Sequence, residues 1–353
     1  MTQAGAGNNT TPEQPFDIAA LDAWMHAHIE GYGGPLEVEK FPGGQSNPTF
    51  RLTTPARAYV MRRKPAGQLL AGAHAVDREY RIISALGTQA FPVPKAYAYC
   101  DDNNVIGTAF YIMELVEGRI FWDPTFASLP KPERAAYFDA MNATIAQLHG
   151  IDYRAAGLEG YGKPGTYFAR QIARWVRSYR EDEQAGRIPA MDRLADWLPA
   201  HIPDDGDETS IVHGDFRCDN MIFHPTEPRV VAVLDWELST LGHPLADFTY
   251  HLMMYRTPKG LPAGMLGDDP VALGLPTEAE YVAAYCRRTG RAGIPALDFY
   301  LAFNMFRFAG IIHGIKGRLL RGNASSAHAA QMVSQLDDLA EHAWQQAVAA
   351  GAE

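Results

Sequence analysis

The chain has 353 residues, 47% of them hydrophobic and 20% charged, with a formal net charge of -10. This balance allows a sizeable core and about two domains, while the negative charge argues against a nucleic-acid-binding surface and no apolar run reaches the roughly 20 residues of a membrane span. Three cysteines, Cys100, Cys218 and Cys286, lack CxxC spacing, which excludes a disulfide framework or a cysteine-rich zinc site and fits a reducing, cytoplasmic setting.

The opening "MTQAGAGNNTTPEQP" has neither the basic nor the apolar stretch of a targeting peptide and reads as a flexible leader over 1–15. Residues 17–30 read as a helix. Two short strand-like runs in "LEVEKFPGGQSNPTFRLTT" flank a glycine-rich turn, and "AYVMRR" supplies a third. "HAVDREYRIISALG" places Val76, Tyr80, Ile83 and Leu86 at helical spacing and closes on Gly87. "KAYAYCDD" and "NNVIGTAFYIMELVEG" complete a small antiparallel sheet.

Beyond about Gly118 the pattern becomes helical, over 131–149, 166–182, 190–199, 277–289, 296–319 and 325–349. One interruption, "NMIF" and "RVVAVLDWE" joined by "HPTEP", reads as a hairpin. The expected architecture is α+β: a β-rich lobe over 1–117, then a mainly helical lobe over 118–353. No repeat of solenoid period is present.

The densest polar cluster, "HGDFRCDN", follows the strand-like "SIV". In it Asp215 is placed to accept a proton from a substrate hydroxyl, while Asn220 and Asp235 offer hard oxygen ligands to Mg2+ bridging nucleotide phosphates. H-x-D-x-x-x-x-N followed by a strand ending in Asp is a kinase arrangement. His213 reads as a loop-orienting histidine, because Asp215 holds the position of the base, and Cys218 as a packing residue.

At "HGDFRCDN" and "LDWE" the chain resembles the aminoglycoside phosphotransferase and choline kinase-like family, over about residues 35–320. Within it, the block 213–247 is most similar to the kinase-like domain fused to some acyl-CoA dehydrogenases. The resemblance implies a protein-kinase-like two-lobe fold, with the β-rich lobe binding nucleotide, ATP and Mg2+ as cofactors, and a small-molecule hydroxyl acceptor. It implies that the N–H groups of Gly43 and Gly44 approach phosphates, with Gln45, Ser46 and Asn47 at the turn's tip. Arg62 takes the place of the phosphate-contacting Lys or Arg, with Glu79 as its ion-pair partner. The backbone of Glu114 and Val116 meets the adenine edge, and Met113 lies near the ring. Arg217 stabilises the transferred phosphoryl group, and Asp247 braces the catalytic loop. Gly214 departs from the Arg of protein kinases, and neither D-F-G nor A-P-E is present, which favours a small acceptor. A hydroxy acid or hydroxyacyl-CoA ranks first and an aminoglycoside well below it.

Two other functions compete. A metal-dependent hydrolase could draw on His213, Asp215, His224, Asp235, His243, Asp247 and His251, but leaves the glycine-rich turn, Arg62 and Glu79 unexplained. A nucleotide-binding pseudokinase has no use for the full set of base and metal residues. "GYGKPG" matches a dinucleotide motif without a strand leading into it, and "GQSNP" misses the nucleophile elbow. In "TYFARQIARWVRSYR", Arg170, Arg174 and Arg177 share a face opposite Phe168, Ile172, Trp175 and Tyr179. A solvated face is the default there; contact with an anionic acceptor is the sharper alternative.

Overall fold

The computed structural model describes residues 16–41, 47–65, 75–204, 206, 208–322 and 327–353, excepting the side chains of 327 and 328. Two compact units emerge, one of Met1–Ser84 with Pro94–Leu115 and one of Ala85–Val93 with Val116–Glu353. The segment Ala85–Val93 thus groups with the helical unit, across the division at residue 117 expected from sequence.

In the first unit, β1 (Glu37–Lys40), β2 (Thr49–Thr53), β3 (Ala58–Arg63), β4 (Ala96–Cys100) and β5 (Phe110–Glu114) form one sheet in the order β1-β2-β3-β5-β4. Every pairing is antiparallel. The period of two is plain in β2, where Phe50 and Leu52 are buried and Arg51 is exposed. These side chains, with Tyr59, Met61, Phe110 and Ile112, pack on Leu21 and Met25 of the helix Ile18–His28. Asp17 caps that helix by accepting the Ala20 N–H at 3.0 Å. Arg62 alternates with Met61 and so faces away from this core, toward Glu79 on the helix Val76–Gly87.

The second unit is helical around Leu297–Leu320, which is buried from Phe299 through Gly310. A helix apolar on nearly all sides belongs inside a core, and each fully buried large side chain contributes about 1.5–3 kcal/mol. Core packing, rather than a pocket, is thus the main use of the aromatic run "FYLAFNMFRFAG". Two ribbons interrupt the helices: β6 (Ser210–Val212) pairs with β9 (Thr240–Gly242), and β7 (Met221–Phe223) pairs with β8 (Val230–Val233).

Among the elements that differ from the sequence reading, two bear on the second unit's core and loop. The single helix expected over 325–349 is two, Ala327–Ser334 and Leu336–Ala349, and at the break the Ser334 hydroxyl donates back to Gln331 O at 2.7 Å. An additional helix, Pro244–Leu252, starts with proline at its first position and is capped by His243, whose Nδ1 accepts the Leu245 N–H at 3.2 Å. Among the described residues no helix is long and apolar enough to cross a membrane.

Candidate active site

The site grows from the buried strand β6, which delivers His213 into the loop that follows. The N–H groups of His213 and Gly214 donate to the two carboxylate oxygens of Asp247, at 2.7 and 2.8 Å. Burial alone would raise the Asp247 carboxyl pKa, but His149, 3.3 Å away, and His213 outweigh it and hold it below the usual range. Gly214 has φ +84, and a Cβ there would lie 2.9 Å from Leu238 O. The position where protein kinases carry Arg thus has room only for glycine. Its carbonyl accepts from Arg307 Nη2 at 2.7 Å.

This frame presents Asp215, half-buried. Asn220 Nδ2 donates to Asp215 O at 2.9 Å and to Asp215 Oδ2 at 3.1 Å. Two acceptors on one side fix the amide's orientation and leave Asn220 Oδ1 as its outward atom. Asn220 O accepts the Leu234 N–H at 2.8 Å, tying the loop to the end of β8 immediately before Asp235. Asp235 itself has φ 63 and ψ 59, a left-handed conformation that aspartate tolerates better than most residues and that is concentrated at functional sites. An amide oxygen and a carboxylate joined in this way are the donor chemistry that suits Mg2+.

Arg217 Nε lies 3.5 Å from Asp215 Oδ1, and its Nη2 is 2.6 Å from Asp219 Oδ2. Burial opposes its charge, yet Asp215, Tyr250 and Asp219 outweigh that and raise its pKa further. The guanidinium therefore carries fixed positive charge next to Asp215. Cys218 is buried, and its thiol is pushed up to about 12 by burial and Asp219, so it is an inert packing group.

The histidines have other work. His213 Nε2 bonds Leu234 O at 2.8 Å while Nδ1 accepts the Asp215 N–H at 3.2 Å, which orients the loop as expected. His251 uses both ring nitrogens, on Phe216 O at 3.1 Å and the Tyr281 hydroxyl at 2.6 Å. His224 Nδ1 accepts the Glu227 N–H at 3.2 Å, and His243 is the helix cap described above. Among the described residues no three His, Cys, Asp or Glu side chains gather as a metal site. Of the residues named for a metal hydrolase, His213, Asp215, His224, His243, Asp247 and His251 are engaged in hydrogen bonds.

In the first unit Arg62 Nε lies 3.2 Å from Glu79 Oε2. Glu79 is buried, and it also accepts from Asn47 Nδ2 at 2.8 Å and the Tyr111 hydroxyl at 3.1 Å. Asn47 is fully buried, and its amide braces the ion pair. Gly43, Gly44, Gln45 and Ser46 lie outside the described residues. Met113 is buried, and the Glu114 N–H donates to Lys95 O at 2.9 Å, so sheet pairing uses that donor. Val116 is half-buried.

Arg170 is engaged within its own segment. It donates to Gly165 O, to Thr166 Oγ1 at 2.9 Å and to Lys163 O at 2.6 Å, which ties down the loop before its helix. Arg174 and Arg177 are exposed, as on a solvated face. Missing from the sequence reading are Tyr250, whose hydroxyl donates to Asp215 Oδ1 at 2.6 Å, and Arg307. Their signals were present: Tyr250 stands three residues after Asp247 on one helix, and Arg307 is a lone charge in an apolar run.

Residues 37–300 match the phosphotransferase enzyme family, APH. The chain belongs to this family. Its curated relatives include acyl-CoA dehydrogenase family member 10 of Mus musculus, 44% identical over 343 residues, and family member 11 of Homo sapiens, 42% identical over 335 residues. These alignments cover 95% and 94% of this chain but only 32% and 43% of the relatives. The phosphotransferase chain therefore spans well under half the length of those proteins. Among solved structures, a candidate aminoglycoside phosphotransferase from Ralstonia eutropha is 54% identical with TM-score 0.88, covering 95% of this chain and 99% of that one. Aminoglycoside phosphotransferase APH(4)-Ia, solved with AMP-PNP and hygromycin B, shares the protein-kinase-like fold at TM-score 0.61 and 15% identity, covering 93% of this chain and 99% of that one.

Proposed function

We propose that this phosphotransferase moves the γ-phosphoryl group of ATP to a hydroxyl of a small acceptor. The observation that carries the reading is the Asp215 carboxylate held by Asn220 Nδ2 at 3.1 Å, with the other atom of that amide left for a cation. Asp215 accepts the acceptor's hydroxyl hydrogen bond and takes its proton as the new oxygen–phosphorus bond forms. The bond from γ-phosphorus to the bridging oxygen breaks, and ADP departs. Arg217 offsets negative charge developing on the transferred group. Asn220 and Asp235 would hold Mg2+, which supplies charge neutralisation on the nucleotide phosphates when bound. Arg62, fixed by Glu79, serves the phosphates. The backbone of Gly43 and Gly44, with Gln45 and Ser46, is assigned to the same phosphates, and Met113, Glu114 and Val116 to adenine.

For the acceptor we propose a hydroxy acid or hydroxyacyl-CoA. Two features support this over an aminoglycoside. The curated relatives are named acyl-CoA dehydrogenases. A narrow recess whose walls include Arg217 and Tyr250, both of which approach Asp215, has Met141, Met253, Met254 and Phe308 among its other walls beside His251 and Thr257, with no carboxylate among its lining residues. A polycationic sugar needs carboxylates; an acyl chain needs apolar walls. The buried, unpaired state of Cys100, Cys218 and Cys286 supports a cytoplasmic setting.

The test is ATP consumption with Mg2+ across hydroxyacyl-CoAs, hydroxy acids, aminoglycosides and choline-like alcohols, beside Asp215→Asn. Turnover with one class, abolished by the substitution, is the expected result. ATP binding without turnover on any acceptor would favour a pseudokinase, and absence of ATP binding would remove the reading.

A further inference from the structure

The base is held by more than its loop. We propose that Tyr250 is a positioning residue for Asp215, locking the carboxylate so that Oδ2 is the oxygen presented to the acceptor hydroxyl. This inference rests on the kinase reading above and deepens it.

The helix Pro244–Leu252 carries both Asp247 and Tyr250, three residues apart and hence on one face. Asp247 grips the loop backbone on the amino side of the base, through the N–H groups of His213 and Gly214. Tyr250 grips the base itself, with its hydroxyl 2.6 Å from Asp215 Oδ1. Asn220 Nδ2 then meets Oδ2 at 3.1 Å. A carboxylate rotates about its last bond over a broad minimum, and one donor on each oxygen removes that freedom. Oδ1 also lies 3.5 Å from Arg217 Nε, which makes it the crowded oxygen and Oδ2 the freer one.

Tyr250 is itself fixed. Its ring is buried, and the Arg307 guanidinium carbon sits 4.7 Å from the ring centroid while the same guanidinium donates to Gly214 O at 2.7 Å. One arginine thus clamps both the tyrosine and the residue preceding the base. Burial, then Asp215, raises the phenol's pKa, so the hydroxyl remains a donor across the working range of the site.

Tyr250→Phe keeps the ring and its contact with Arg307 and removes one hydrogen bond to a charged group. The comparison variant is Tyr255→Phe, which removes a half-buried phenol bonded to a backbone carbonyl, Pro276 O at 2.9 Å, away from the base. Transfer of radiolabelled γ-phosphate is measured to 3-hydroxybutyryl-CoA and, in parallel, to water. ATP affinity and thermal midpoint are recorded for each variant. The expected result for Tyr250→Phe is a kcat lowered about tenfold to a hundredfold, with ATP affinity and acceptor KM each within about threefold of the parent chain, the pattern of an interaction that matters in the transition state. Tyr255→Phe is expected to lower the midpoint and leave kcat in place.

An unchanged kcat in Tyr250→Phe overturns the inference. So does a fall in kcat that is matched by Tyr255→Phe or accompanied by an equal loss of ATP affinity, because the residue would then be structural. Asp215→Asn separates this from the wider reading: full activity in that variant, or ATP binding with no transfer to either probe by the parent chain, removes the kinase reading itself. An inactive Asp215→Asn with a fully active Tyr250→Phe removes only the role of Tyr250.

Discussion

Asn220 Nδ2 touches Asp215 twice, at the backbone oxygen (2.9 Å) and at the carboxylate (3.1 Å). A single amide therefore ties both the backbone and the carboxylate of Asp215, and the proposed cation would take its remaining atom, the oxygen. Asn220→Ala is expected to lower kcat by at least about a hundredfold, since it removes a preorganised donor and a ligand together. It is also expected to raise the Mg2+ concentration giving half-maximal rate. Asn220→Asp keeps an oxygen ligand but sets a carboxylate against Asp215, so it should recover Mg2+ dependence better than rate. A Mg2+ titration of both variants at saturating ATP checks this, and equal losses in the two would count against a ligand role.

Glu79 anchors three partners at once, Arg62, Asn47 and Tyr111. Removing one member of a buried ion pair leaves the other charge uncompensated and costs about 3–5 kcal/mol. Glu79→Ala should therefore lower stability in urea by part of that amount, since Arg62 is only half-buried, and weaken ATP binding as Arg62 loses its orientation. Glu79→Gln keeps one oxygen to accept from Asn47 and places an NH2 group against the Tyr111 hydroxyl, which can accept from it, so it is expected to be milder in urea yet similar in ATP affinity. Equal ATP affinity in the parent and both variants would separate Arg62 from the nucleotide.

His251 gives the fold a specific weakness toward acid. Burial, only partly offset by Phe216 O and Asp247, pushes its pKa down to about 4 from the 6.5 of a free histidine. Above pH 6.5 the ring is neutral in folded and unfolded chains alike, and it confers no pH dependence. Between pH 6.5 and 4 the unfolded chain takes up a proton that the folded chain refuses, so stability falls as pH falls. Below pH 4 both forms are protonated and this contribution levels off. His251→Gln can donate to Phe216 O and accept from Tyr281 while carrying no titrating group. The urea midpoint of the parent chain should drop between pH 7 and pH 5 by more than that of the variant; parallel curves would show that His251 is not the titrating element.

The sheet was legible in sequence because each strand alternates or is bounded by turn residues, as Phe50, Arg51 and Leu52 do in β2. The loop residues Asp215 and Asn220 were legible because their chemistry demands fixed spacing. What escaped is announced by no local pattern. Gln331, Ser334 and Gln335 look as helical as their neighbours, and only the hydroxyl bonding back to Gln331 O marks the break. Tyr250 is 35 positions from Asp215, and no local pattern announces a bond over that distance. Asn47 is likewise bonded to Glu79, 32 positions later on another element, and its bracing of the ion pair could not be read from its neighbours.

The recess beside the base yields a prediction about acceptor length. Its free space is about 10 Å³, close to what one water requires, yet three of its walls are methionines, the side chains most able to rearrange around an apolar guest. Met254 lines it and is buried. Met254→Ala should enlarge the space for an acyl chain and shift preference toward longer hydroxyacyl acceptors. A difference of one methylene in an apolar pocket is worth about 1–3 kcal/mol, so the ratio of kcat/KM for six-carbon over four-carbon hydroxyacyl-CoA should rise at least about tenfold. ATP affinity should stay as in the parent chain, because Met254 has no part in the nucleotide or metal assignments. A ratio that does not move, in a variant that still folds and turns over, would place the acceptor's chain elsewhere and leave the recess as core packing behind Tyr250.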